Sequence, residues 1–299
     1  MMKAHSRSLL ITGGLVAALT FPATSAFAAG LDYTFTGEFF AGSFLDAILL
    51  DGKGFEVHII ADTTIPDTDP GASPRGMAVK FHLPDGSKTD IVVNSFNGFP
   101  VATAAEVRDL FLAIAATKPE DPKPTALDQF LSSHPSAKAF VEAPKPAPVS
   151  YATLTYFGVN AFKFTNAKGA AMFGRYQLQP MAGEHFLTKE QLAAMGPDYL
   201  TTEILQRVRR GPVNFKLLLQ VAGQGDKIDD PSTAWPDTRK KVVLGTLAIT
   251  KAVADSQTAE KKLLFMPGTL VSGIEAADPM IAARSAAYTI SATRRSKAQ

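Results

Sequence analysis

Arg284 and Tyr288 stand four residues apart near the end of the 299-residue chain, in the stretch ADPMIAARSAAYTISATRR. A helix brings residues i and i+4 onto one face, so this spacing sets a guanidinium beside a phenol. A neighbouring cation favours the ionised form of a phenol, and coordination to a metal removes its proton outright. An Arg-x-x-x-Tyr pair on a helix can therefore present a phenolate to iron. The pair alone is not diagnostic, because an Arg four residues before a Tyr also serves plain core packing in many helices.

Other chemistries find little support. Beyond the first thirty residues the histidines are His58, His82, His134 and His185, with no HxxxH or HExxH spacing for zinc. There is no GxSxG elbow for an activated serine and no GxxxxGK[ST] loop for phosphates. Cys is absent, which removes disulfides, thiolate ligands, iron-sulfur clusters and thiol nucleophiles together. Any redox chemistry must come from a cofactor. Asp67 and Asp69 in IPDTDPGASP lack the Gly and closing Glu of a calcium loop and read as a turn. The clusters Arg207, Arg209, Arg210 and Arg239, Lys240, Lys241 read as solvated faces.

The elements that must position the pair follow from periodicity and punctuation. FEVHIIAD (Phe55 to Asp62) is a strand, and Met77 to Leu83 and Thr89 to Asn94 form a hairpin about the turn 84–87. Val107, Leu110, Phe111 and Ile114 predict an amphipathic helix over 104–115. A Pro-rich connection from Pro119 to Pro148 allows only short helices around Leu127 and Ala139, and is expected to run over a surface. A meander follows, broken at Gly158-Val159-Asn160 and again at residues 166–169. Thr188 with Gln191 makes a capping box, Thr201 is a candidate cap for a helix to about Arg210, and strands start at Val213 and Val242. Asp278, with Pro279 in the first helical position, opens a last helix to about Thr293. The fold class is α+β: an antiparallel sheet or barrel with appended helices.

Composition agrees with one large folded unit. Charged residues make up 19% and apolar ones 46%, and the net charge of +2 gives no basic excess for nucleic acid. Lys3 and Arg7, an apolar run from Leu9 to Phe21, and Ala26-Phe27-Ala28 read as a cleavable secretory signal. That run is shorter than the roughly 20 residues that span a bilayer, so no membrane attachment is expected after cleavage. The expected division is 1–28 signal peptide and 29–299 mature domain, with the bacterial periplasm as destination.

Four blocks in order resemble the haem catalases, and within them the short exported catalase-related peroxidases. DPGASPRGMAVKFHLPDGSKTDIV (Asp69 to Val92) is similar to the segment around R-G-x-A-V-K-F, and NGFPV (Asn97 to Val101) continues it. NAFKFTNAKGAAMFGRYQLQP (Asn160 to Pro180) resembles H-x-F-K-x-x-N-x-x-G, with Asn160 where His is usual. AWPDTRKKVVLGTLAITK (Ala234 to Lys251) resembles the segment that opens with W-P and closes on a G-x-L strand. Phe265 to Arg295 is similar to F-x-P-x-x-x-V-P-G-I-x-x-x-D-x-M-x-x-x-R-x-x-x-Y, with Ser272 where Pro is usual.

The resemblance implies the catalase-core barrel, a C-terminal ligand helix and haem b as cofactor. It makes Tyr288 the proximal iron ligand and Arg284 the stabiliser of its phenolate. Arg295, or Arg294 if the register slips, falls at a propionate-binding position, and Phe111 and Asn97 fall near a haem-stacking aromatic and a distal amide. The implied reaction is a peroxidase reaction on hydrogen or organic peroxides with a small electron donor.

The departures are as informative. The family's distal histidine lies in an H-A-x-G run some eight residues before a G-x-F. Here Gly37-Glu38-Phe39 resembles the G-x-F, and counting back lands on Ala29. His58 stands where the family has an Arg-Phe-Ser strand. Three roles are open to it: a propionate partner, a relocated acid/base, or a histidine satisfied within the barrel wall. Asp32 and Glu38 are further conceivable proton carriers, while His82 and His185 have less to recommend them. A non-catalytic haem-binding module and a hydroperoxide isomerase are therefore expected as alternatives to the peroxidase.

Overall fold

The computed structural model of the protein describes residues 31–35, 55–60, 65–83, 85–166, 168–253 and 264–297. The expected leader and Glu38 lie outside them. Strands β1 (Leu31–Phe35), β2 (Phe55–Ile60), β3 (Gly76–His82) and β4 (Lys88–Asn94) pair antiparallel in chain order. Past the Pro-rich connection, β5 (Tyr156–Phe157) joins β4 through Asn94 and Phe157, and β7 (Ala171–Pro180) joins β5. The two β-rich portions of the chain thus form one sheet. It continues through β8 (Val213–Val221) to β9 (Lys241–Ile249), and β10 (Lys251–Ala252), one residue further on, pairs with β1. The order of pairing therefore returns to its start, as the expected barrel requires. β6 (Phe162–Thr165) and β11 (Ile274–Ala276) branch from β7.

Alternation along the strands makes the core. Met77, Val79 and Phe81 on β3 and Ile91 and Val93 on β4 meet Leu178, Phe215, Leu217 and Leu219 in one buried cluster. The other face of the β3–β4 hairpin carries a buried ion pair, with Lys80 Nζ 2.5 Å from Asp90 Oδ1. The second carboxylate oxygen of Asp90 accepts from the Met266 amide at 2.8 Å, and its own amide donates to the Thr269 carbonyl at 3.2 Å. The hairpin so clips residues 266–269 in place. Asp90→Ala is expected to cost about 3–5 kcal/mol, because it strands the Lys80 ammonium without its carboxylate. Urea denaturation measures this, and a loss below about 1 kcal/mol would show that the pair does not carry the clip.

Helix α1 (Ala104–Ala115) has the predicted bounds and a capping box between Thr103 and Glu106. The Pro-rich connection holds the two short helices expected around Leu127 and Ala139, but it does more than run over a surface. Its two short helices, α2 (Ala126–Ser133) and α3 (Pro135–Glu142), bury Leu127, Ala137 and Phe140 against Val107 and Leu110 of α1. It carries its own apolar core, because each short helix contributes an apolar face that only mutual packing can cover.

The predicted capping box at Thr188 and Gln191 opens α4 (Lys189–Ala193). Thr201 is not the cap of the next helix: α5 (Tyr199–Arg210) starts two residues earlier. Its first turn is served from far along the chain, since the Leu200 amide donates to Asp67 Oδ2 at 3.1 Å. Asp67 itself is buried and pairs with Arg75 at 3.1 Å, whereas Asp69 caps a single turn over Pro70–Ala72. Of the basic clusters, Arg207 pairs with Glu203, and Arg239 holds Asp226 through two 2.8 Å bonds. These two arginines are structural, not merely solvated. The last helix, α6 (Met280–Lys297), runs past its predicted end at Thr293.

Candidate active site

Asp278 and Pro279 start α6 as the sequence predicts, with Asp278 Oδ1 accepting from the Met280 amide at 2.8 Å. Met280 packs into the cluster made by α1, α2 and α3, and Ala283 lies against it. Along the helix, Ser285 approaches the clipped segment so closely that a Cβ on Gly268 would lie 2.6 Å from its hydroxyl. Thr289 Oγ1 lies 3.5 Å from Met266 Sδ. The hairpin clip and the helical cluster together fix the helix that carries Arg284 and Tyr288.

Arg284 is buried and Tyr288 half-buried. The guanidinium donates to the phenolic oxygen twice, from Nη2 at 2.8 Å and from Nε at 3.3 Å. Its remaining arm, Nη1, donates to Asn160 Oδ1 at 2.5 Å, and Asn160 Nδ2 donates to Asp278 Oδ2 at 2.6 Å. A continuous hydrogen-bonded line therefore runs from half-buried Tyr288 through buried Arg284 and Asn160 to Asp278. Burial pushes the Asp278 carboxyl up, against the opposing pull of the Asn160 amide, the Met280 amide and the Arg175 and Arg284 charges. An oxygen that receives two N–H groups from one cation is arranged as an acceptor. It could serve ferric iron as a hard anionic ligand.

The other predicted site residues are placed as follows. Phe111 packs, half-buried, on the same cluster that receives Met280 and Ala283, so its helix and the Tyr288 helix share one apolar contact region. Asn97 is half-buried at the turn after β4. His58 lies on β2, in register with Asp32 on β1 and Ala78 on β3, which puts it in the barrel wall. Arg295 and Arg294 belong to the last turns of α6. The side chains of His58, Asp32, Arg294 and Arg295 lie outside the described set. His82 ends β3, and His185 is exposed with its ring nitrogen 3.0 Å from the Ala182 carbonyl.

Two members of the line were visible in the sequence only in other capacities. Asp278 reads as a helix opener, and nothing local shows that its second oxygen reaches Asn160, 118 positions away. Asn160 reads as a substitution at a family position, without its partners.

Comparison with known proteins adds an independent finding. The sequence matches the Catalase family over residues 60–298. The chain belongs to the catalase family. It is 36% identical over 229 residues to a catalase-related peroxidase of Mycolicibacterium paratuberculosis, covering 75% of this chain and 71% of that protein. A catalase-related peroxidase of Synechococcus elongatus is 31% identical over 255 residues, covering 82% and 75%. Among solved structures, a fungal catalase superposes with a TM-score of 0.76 at 18% identity, covering 89% of this chain and 58% of that one. Catalase A from Saccharomyces cerevisiae gives 0.73, covering 89% and 59%. The likeness to the two solved catalases is one of fold, and the chain spans less than two thirds of their length.

Proposed function

We propose that the protein is an exported haem b peroxidase that reduces hydrogen peroxide or organic hydroperoxides with electrons from a small donor. The observation that carries this reading is the pair of hydrogen bonds from Arg284 to the Tyr288 oxygen. That oxygen fits haem iron by its chemistry: it is half-buried, and both of its bonds come from a permanent cation. Tyr288 would hold the iron, Arg284 would hold the charge on the phenolic oxygen, and Phe111 and Arg295 would meet the macrocycle and a propionate.

Haem bound there would supply the electron relay by which peroxide, two protons and two electrons become two molecules of water or one of water and one of alcohol. The chain's own tasks are to hold the Tyr288 oxygen in place through Arg284, to seat the macrocycle against the α1–α3 cluster and to deliver protons. Names of the relatives support the peroxide substrate, and the leader supports export, with Ala29 as the expected first residue of the periplasmic protein by mass spectrometry. The donor would be any small reductant that reaches the site.

Initial rates of the haem-loaded protein with hydrogen peroxide, an organic hydroperoxide and a dye donor test the proposal. Dye oxidation well above free haem supports it, and rates equal to free haem contradict it. Loss of turnover in His58→Ala, with the spectrum unchanged, would assign the proton-carrying role to β2; general acid-base help is worth roughly 10² to 10⁴-fold. Unchanged turnover would leave His58 as part of the wall. A second reading, a haem-binding module without turnover, is favoured by Ala29 standing where the distal histidine would fall. Product analysis with a fatty-acid hydroperoxide separates the peroxidase from a hydroperoxide isomerase.

A further inference from the structure

Lys145 lies just past the end of α3, half-buried, and no carboxylate pairs with it among the described residues. Its ammonium donates to the Phe140 carbonyl at 2.5 Å and to the Ala143 carbonyl at 3.2 Å, at a helix end where unpaired carbonyls gather negative charge. The same Nζ lies 4.9 Å from the centre of the Phe96 ring and 4.9 Å from that of the Phe140 ring. Those two rings meet edge to face, their centres 5.1 Å apart at 85°. One cation therefore ties the end of α3 to the turn after β4 that carries Phe96.

The bonds of that turn converge on Asn97. The Ser95 amide donates to the Arg75 carbonyl at 2.8 Å, and the Arg75 amide donates to Ser95 Oγ at 2.8 Å. The Phe96 amide donates to Asn94 Oδ1 at 2.8 Å. The Gly98 amide donates to the Phe96 carbonyl at 2.9 Å, closing a three-residue turn centred on Asn97. The Phe96 ring folds back so closely that a Cβ on Gly98 would lie 3.1 Å from its Cε1. Phe99 then enters the cluster made by α1, α2 and α3. Both flanks of Asn97 are thus fixed, yet its half-buried side-chain amide makes no hydrogen bond among the described residues. An amide held in place without a partner can donate to a peroxide oxygen.

We infer that Lys145 is a positioning residue for Asn97, acting through the Phe96 ring. The ammonium and Phe140 hold the ring against Gly98, and that contact fixes the turn that carries the Asn97 amide. Without the cation the ring is no longer drawn to the end of α3, and the amide moves with the loosened turn. The inference rests on the peroxidase reading, with Asn97 as the amide that meets peroxide.

The test is a double-mutant cycle in the full, haem-loaded protein with Lys145→Met, Asn97→Ala and the combination, plus Lys145→Arg and Phe96→Leu. Lys145→Met keeps an apolar stem and removes the charge. It is expected to lower kcat/KM for hydrogen peroxide by roughly fivefold, the scale of one cation–π contact, with the ferric spectrum unchanged. Phe96→Leu removes the ring, leaves the carbonyl bonds and should match it. Lys145→Arg should recover most of the loss, because its guanidinium keeps a cation on the rings. In the Asn97→Ala background Lys145→Met should have no further effect, whereas a merely structural role would lower both backgrounds alike. Unchanged kcat/KM in Lys145→Met and Phe96→Leu, an equal loss with and without Asn97, or a ferric spectrum that shifts with the loss would each overturn the inference. If Asn97→Ala does not itself lower turnover, or the wild type has none, the reading of Asn97 has failed. The Asn97 side-chain amide resonance of the haem-free protein then decides the inference: it should move in Lys145→Met and hold in Lys145→Arg, and no movement would overturn it.

Discussion

Tyr288→Phe is expected to remove the oxygen proposed to hold the iron while leaving the fold intact, because the ring stays and only the hydroxyl that Arg284 grips is lost. Haem affinity should fall by at least about tenfold, a loss of about 1.4 kcal/mol of binding free energy. The ferric spectrum should change class entirely. Haem titration followed by absorption, with circular dichroism as the folding control, measures both. A variant that binds haem with the wild-type spectrum would sink the ligand assignment.

Asn160→Leu has the second large effect. It removes the amide that joins a buried guanidinium to a buried carboxylate, and leaves Arg284 Nη1 and Asp278 Oδ2 without partners among the described residues. Each lost hydrogen bond to a charged group is worth about 1.5–3 kcal/mol, so a loss of about 3 kcal/mol or more is expected in urea denaturation, with a weakened tyrosinate spectrum. Asn160→His should recover most of both, because a neutral imidazole can accept from Arg284 on one nitrogen and donate to Asp278 from the other. If Leu were tolerated at less than about 1 kcal/mol, the buried line would not be holding Arg284.

What was legible in the sequence was what local chemistry decides. Helix α1 follows from Val107, Leu110 and Ile114 at helical spacing, and the β3–β4 hairpin from two β-rich runs about a turn. The Arg284–Tyr288 contact follows from helical geometry alone. Long-range bonds decide the rest. The start of α5 depends on Asp67, 133 residues before Leu200, so Thr201 was a sound local choice that a distant carboxylate overrode. The same carboxylate reads as part of a turn because its partner Arg75 cannot be told from any other Arg before burial is known. Four ordered blocks conveyed the family, but Asn160 and Asp278 meet across 118 positions, which no local pattern shows.

The central claim is that Tyr288 binds iron as a phenolate held by Arg284. Resonance Raman spectroscopy of the ferric, haem-loaded protein, excited in the tyrosinate-to-iron charge-transfer region, tests it most directly. Ring modes of an iron-bound tyrosinate, present in the wild type and absent from Tyr288→Phe, are the predicted result. A spectrum with no tyrosinate modes, or one in which they survive that substitution, would contradict it.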